Sequence, residues 1–341
     1  MKRDSRFETL RIISMFMILL FHYQYFSQPW RLSGHHSLSF YFLPSAYLEL
    51  GKLGVYLFVM ITGYFVGNSQ WTLQKGVHKA GRVWSETIFY AILIFVIAYL
   101  CGQIPNPKME LITSIMPFTH DLYWFVDAYI VLILLVHYLN IVLVHINRND
   151  FKCLIIIVSV FASLLSPINS TIFTNEIQFG FIIPAYLIGA YFRKYHISFQ
   201  IPLLKAMVYY FIAMVGASIL YFVGHTSYIN FFFFGIFQLI SASYIFNFVM
   251  QRKSFGNAGI NVIAKTVFAS YLITDNEIVR RLLWSAKLFH DHACSTLQMG
   301  IIAIFIVVFI MILCTLIDVL RAGLFSFLKR VLYFLRKKDS C

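Results

Sequence analysis

Apolar runs of about 17–25 residues, each long enough to cross a bilayer, recur along this 341-residue chain from its first turn to about residue 320. Ten can be drawn, at about 8–26, 48–68, 84–101, 122–146, 153–168, 177–193, 203–223, 229–250, 264–284 and 298–320. Hydrophobic residues make up 60% of the chain and charged residues only 12%, which excludes a water-soluble domain of this size. Within lipid every backbone polar group must be satisfied internally, so only helices and closed barrels span it. A barrel would show short alternating segments, and these runs are continuous. The expected fold is therefore an all-α integral membrane bundle of about ten transmembrane helices. The first run is long and lacks a small-residue cleavage site, so it reads as a retained span. No polar linker separates the runs, which predicts one transmembrane domain over 1–320 and a basic, amphipathic tail over 321–341.

An even number of spans puts both termini on one side, and the distribution of Lys and Arg selects the cytoplasm. That assignment leaves Arg31, Lys52, Lys108, Arg280, Arg281 and Lys287 in outer segments and Arg11 within a span, with the other basic residues inside. The net charge of +13 is spread over the inner segments with no dedicated patch. It is explained by topology and contact with anionic membrane lipid, and nucleic acid is not an expected partner. Five cysteines, at 101, 153, 294, 314 and 341, show no CxxC spacing and suggest neither a disulfide framework nor a metal site.

The first span carries an arginine and a histidine, Arg11 and His22. An ionisable side chain at membrane depth costs roughly 2.5–3.5 kcal/mol on insertion scales and marks a functional site by default. Eleven steps of about 100° leave the two side chains about 20° apart around the helix, and about 16 Å apart along it. An arginine near a helix end also snorkels to headgroups, and an intramembrane histidine also serves as an interhelical hydrogen bond. Glu8, at i and i+3 from Arg11, is placed for an ion pair.

Four segments together resemble the acyltransferase-three family of polytopic bacterial enzymes that O-acylate cell-surface carbohydrates. They are RFETLRIISMFMILLFH at 6–22, GVYLFVMITGYF at 54–65, DLYWFVDAYI at 121–130 and VFASYLITDN at 267–276. Glu8 stands where the family usually has Asp, Thr62 where it usually has Ser, and Thr274 where a late His is common. The resemblance implies a multi-pass enzyme of the bacterial plasma membrane with no tightly bound cofactor, using acetyl-CoA or another acyl-CoA as donor. Its acceptor would be a carbohydrate hydroxyl on a cell-envelope or exported polysaccharide or its lipid-linked precursor. Polysaccharide-assembly proteins or a second copy of the chain are possible partners.

In that reading His22 is the base that activates the hydroxyl, and Arg11 positions the donor. Lys79 and Arg82, with His78, form a basic cluster after the second span that resembles the family's basic loop and would grip CoA phosphates; topology and lipid contact account for it equally. Trp124 opens the fourth span near the outer face, where its ring would stack on a sugar, although aromatic residues belong at that interface anyway. Asp127, one turn inside, would orient His22 or bind a hydroxyl, and an interhelical hydrogen bond accounts for it equally. Asp275 and Asn276, with Glu277, Arg280 and Arg281, form a second polar stretch for the acceptor, in which Asp275 with Arg280 and Glu277 with Arg281 are candidate self-neutralising pairs. Gly54 and Gly63 are expected to permit close helix packing. His145 and Asp150 match the His-x4-Asp spacing of glycerolipid acyltransferases but lie at a short inner loop with no Gly-rich phosphate motif; His35 and His36 in the first outer loop would meet the acceptor or simply water; His290, Asp291, His292 and Cys294 would chelate a metal, although so short a cluster is more often a solvated turn. The rival function is a transporter or flippase for a lipid-linked saccharide, with Arg11, His22 and Asp127 in the transport path.

Overall fold

A computed structural model describes residues 3–27, 36–67, 69–118, 122–172, 178–224, 235–284 and 295–338, with side chains described for all of these except 164–172, 178–180 and 328–338. Among the described residues the secondary structure is entirely helical. The long helices are α1 (Ser5–Ser27), α2 (Leu38–Val66), α3 (Leu73–Leu100), α5 (Trp124–His145), α6 (Arg148–Ile172), α7 (Gln178–Tyr195), α8 (Pro202–Phe222), α9 (Ile236–Met250), α10 (Ala258–Thr274) and α12 (Thr296–Lys338). The short α4 (Pro107–Ile115) lies in an expected outer loop, and α11 (Glu277–Val279) continues into a π-helical segment, Arg280–Trp284.

Among the described residues, each of the ten expected spans overlaps one of these helices. Among the described residues, six helices are long and apolar enough to cross a membrane: Ser5–Ser27, Leu38–Val66, Leu73–Leu100, Trp124–His145, Pro202–Phe222 and Thr296–Phe327. Two shorter apolar helices, Ile236–Met250 and Ala258–Thr274, rise only about 22–26 Å at 1.5 Å per residue, less than the roughly 30 Å hydrocarbon core.

Several boundaries differ from the sequence expectation. The second helix begins at Leu38, ten residues ahead of the apolar run, and carries Pro44 inside it. The third begins at Leu73, where the Thr72 side chain accepts from the Lys75 backbone N–H. Hydropathy registers where lipid begins, whereas the cap registers where the backbone turns. The expected ninth span breaks after Thr274. The last span and the basic segment after it are one uninterrupted helix to Lys338.

α2 is the hub, packing against α1, α7, α8 and α9. Two glycines make its close approaches possible. A Cβ at Gly54 would stand 2.5 Å from the Ser14 carbonyl oxygen of α1, and one at Gly63 would stand 2.1 Å from the Tyr186 carbonyl oxygen of α7. Backbones this close gain van der Waals contact where no hydrophobic force separates helix from lipid. The sequence reading of both glycines is thereby met.

Candidate functional site

α1 and α10 lie side by side and run in the same direction, tied at their N-terminal ends. The Ser5 backbone N–H donates to the Phe255 carbonyl at 2.9 Å, and the Asn257 backbone N–H donates to Ser5 Oγ at 2.8 Å. The Asn257 side chain also caps α10, accepting from the Ile260 N–H at 3.1 Å. Because both are α-helices with the same rise, the offset of 252 residues set at Ser5 and Asn257 recurs one helix length on, at His22 and Thr274. There His22 Nδ1 lies 3.2 Å from Thr274 Oγ1.

His22 is buried, with 3% of its surface exposed. Its other nitrogen, Nε2, lies 3.5 Å from Asp275 Oδ1. Asp275 is itself buried and accepts from Arg280 Nη2 at 2.7 Å and Nε at 3.1 Å. The Arg280 guanidinium lies over the Phe26 ring at 4.7 Å, and Tyr271 stands 6.1 Å from the imidazole, centroid to centroid. A histidine, a carboxylate and a guanidinium thus follow one another into the bundle. The Thr274 hydroxyl also donates to the Ser270 carbonyl at 2.8 Å, so its single proton has two acceptors in reach.

The helix break creates this arrangement. α10 stops at Thr274, the Asp275 N–H closes the last turn on the Tyr271 carbonyl at 2.9 Å, and Asn276 Oδ1 accepts from the Ile278 N–H to start the next turn. Asn276 Nδ2 donates to Tyr123 Oη at 2.8 Å, and that hydroxyl donates to the Leu272 carbonyl at 3.0 Å. Trp284, fully buried, donates from Nε1 to the Thr274 carbonyl at 3.0 Å. Terminal backbone groups that would be orphaned at membrane depth are answered by side chains.

The structure brings Asp275 to this site and Asn276 next to it as a structural clamp, while Trp124 packs on Lys52 of α2. Asp127 is half-buried one turn into α5, and the carboxylate that meets His22 is Asp275. The Asp275–Arg280 pair forms as expected, and Arg281 also pairs with Glu110 of α4 at 2.7 Å. Toward the other end of α1, Arg11 Nη1 meets Glu8 Oε2 at 2.7 Å and its guanidinium lies 5.8 Å from the Phe58 ring. Arg3 also approaches Glu8, at 3.7 Å. Lys79 and Arg82 are exposed and belong to α3 itself, where the sequence suggested a loop; together with Arg321 they surround Glu86 electrostatically.

Two residues escaped the sequence reading. Lys52, assigned to an outer segment, is buried to 6% exposure with its Nζ 3.6 Å from the centroid of the Trp124 ring. Glu49, one turn earlier on α2, is fully buried and accepts a hydrogen bond from the Gln238 carboxamide. The signal was present: a Lys and a Glu between apolar residues in YLELGKLGVYLF are as costly within a span as Arg11 and His22. His145 and Asp150 are exposed, and Asp150 sits in the turn that Asn147 caps. His36 stacks on Phe40 at 4.0 Å. His35 and the cluster from His290 to Cys294 lie outside the described residues.

Comparison with protein families matches the chain over residues 4–319 to the family described as an acyltransferase domain, Acyl_transf_3. The chain belongs to this family. As an Acyl_transf_3 protein with several apolar membrane-length helices it is a membrane acyltransferase. Comparisons with curated proteins and with solved structures gave no match.

The four segments that carry the family resemblance are joined into a ring in space. Phe7 stacks on Tyr64 at 5.0 Å, Thr62 Oγ1 lies 3.2 Å from Tyr129 Oη, Tyr123 reaches Leu272, and His22 reaches Thr274. Each link joins segments that lie on different helices, so the family pattern traces one continuous interior.

Proposed function

We propose that this acyltransferase transfers an acyl group, most simply acetyl, from cytoplasmic acyl-CoA to a hydroxyl of an envelope or exported polysaccharide or its lipid-linked precursor. The observation that carries the reading is the buried contact of His22 with Asp275 and Thr274. A carboxylate beside Nε2 favours the tautomer protonated there and leaves Nδ1 as the basic nitrogen, next to the Thr274 hydroxyl. The acceptor hydroxyl loses its proton to His22 as its oxygen attacks the thioester carbonyl, and the imidazolium, stabilised by Asp275, returns the proton to the departing CoA thiolate.

Arg11 supports the donor's end of this path. Its guanidinium offers paired N–H donors for phosphate, with Glu8 holding it in place, and Lys79 and Arg82 add exposed positive charge. The 16 Å or so of axial rise between Arg11 and His22 suits a thin, extended donor arm. Topology follows the charge bias: about ten spans with both termini cytoplasmic, in the bacterial plasma membrane, donor entering from inside and acceptor from outside.

The test is a deletion strain complemented with wild type or His22→Ala, with O-acyl groups on surface glycans read by NMR. Wild type should restore acylation and His22→Ala should not. Full acylation by His22→Ala overturns the mechanism, and a deletion that alters glycan export without altering acylation favours the flippase.

A further inference from the structure

Lys52 is a basic side chain buried inside the bundle on α2. An ammonium inside the bundle costs several kcal/mol unless its surroundings compensate. Here the surroundings are specific: the Trp124 face lies 3.6 Å from Nζ. The indole holds the ammonium by cation–π attraction, which occupies one side of it and fixes its position.

The level of Lys52 relative to His22 follows from how α1 and α2 pack. A Cβ on Gly51 would meet Phe21, and one on Gly54 would meet Ser14, Met17 and Ile18, so the two helices run antiparallel and Lys52 falls opposite residues 19–20 of α1. At 1.5 Å per residue it stands about 3–5 Å from the level of His22, on the side toward Arg11. That is the side from which, in the proposed function, the donor thioester arrives.

We propose that Lys52 is a catalytic residue of the transfer, donating a hydrogen bond to the thioester carbonyl oxygen as it becomes an oxyanion. The inference rests on the proposed reaction. When the acceptor oxygen bonds to the carbonyl carbon, the carbonyl π pair moves onto oxygen while the hydroxyl proton passes to His22. When that pair returns, the carbon–sulfur bond breaks and its electrons leave with sulfur, which takes the proton back from His22. Negative charge thus sits on the carbonyl oxygen only between the two steps, and an ammonium already fixed nearby stabilises that state more than the substrate.

The experiment uses membranes containing the full-length chain, radiolabelled acetyl-CoA as donor and the host's own glycan as acceptor. Initial rates are compared for wild type, Lys52→Met, Lys52→Arg and His22→Ala over a range of donor concentrations, with protein level and thermal melting in detergent measured for each. Lys52→Met should lower kcat by roughly 10²–10³-fold with little change in KM for acetyl-CoA, as expected on removing an oxyanion donor. Lys52→Arg, which keeps the charge, should recover part of that loss. Lys52→Met with wild-type kcat, or with its whole defect in acceptor KM, overturns the inference; so does equal loss of rate in a variant whose melting has collapsed, if Lys52→Arg melts normally and recovers nothing. Activity in His22→Ala overturns the reaction reading itself, a result distinguishable from failure at Lys52 alone.

Discussion

The His22 imidazole and the Asp275 carboxylate, from opposite ends of the chain, meet at 3.5 Å in the interior of the bundle. The contact exists because α1 and α10 start together and rise at the same rate, and because α10 ends one residue before Asp275. Arg280, from the turn after the break, closes on the same carboxylate oxygen at 2.7 Å. That guanidinium sets a fixed positive charge against the buried carboxylate.

Asp275→Asn keeps the volume and removes the charge that stabilises the imidazolium. It should lower kcat by roughly 10²–10⁴-fold, the range of a general acid–base contribution, while leaving donor KM near wild type. A steady-state assay with acetyl-CoA checks it; an unchanged kcat would show that Asp275 serves structure alone.

Arg11 should act on the donor and not on the chemistry. Arg11→Gln is expected to raise KM for acyl-CoA about tenfold, the loss of one charge-assisted pair, with kcat within about threefold of wild type. Glu8→Gln, which loosens Arg11 without removing it, should show the same effect at smaller size. A pure kcat defect in Arg11→Gln would argue against a donor-positioning role.

Lys79 and Arg82 are exposed, so their attraction for a polyanionic donor is screened by salt. The double change to Gln should raise donor KM at low ionic strength and approach wild type at about 0.5 M salt, with no change in melting. An effect that does not depend on salt would point to a fixed contact or to folding instead.

Gly63 offers a test of packing independent of catalysis. Its missing Cβ would stand 2.1 Å from the Tyr186 carbonyl oxygen, so Gly63→Ala must separate α2 from α7. Overpacking of this kind costs about 1–3 kcal/mol, and a lower melting temperature in detergent is expected. Gly81, where a Cβ would meet nothing within 4 Å, is the control: Gly81→Ala should melt as wild type or slightly higher.

A buried network fastens α12 to α3. Tyr90 Oη donates to Asp318 Oδ1 at 2.6 Å, Arg321 Nε donates to the same oxygen at 2.6 Å, and Arg321 Nη2 reaches Glu86 at 3.1 Å. Asp318→Ala leaves a buried phenol and a part-buried guanidinium without this acceptor and should cost about 1–3 kcal/mol, seen as lower thermal stability. Tyr90→Phe combined with Asp318→Ala should be less than additive, because the two changes remove one interaction.

Much of this protein is legible in its amino-acid sequence alone. Apolar run length specifies the helices, since a bilayer imposes one length scale on every span. Arg11, His22 and the Glu8 ion pair are readable because their spacing lies within one helix, where rotation per residue is known. Trp124 is readable as an aromatic residue at the start of an apolar run and Asp275 as a carboxylate interrupting one. What one helix cannot specify is its neighbour. The partner of His22, the placing of Lys52 on the Trp124 face and the pairing of Arg281 with Glu110 are contacts between distant segments. They depend on the register set by Ser5 with Asn257, the antiparallel approach set by Gly51 and Gly54, and the break after Thr274. Local periodicity states which way a side chain points; only packed neighbours determine what it meets.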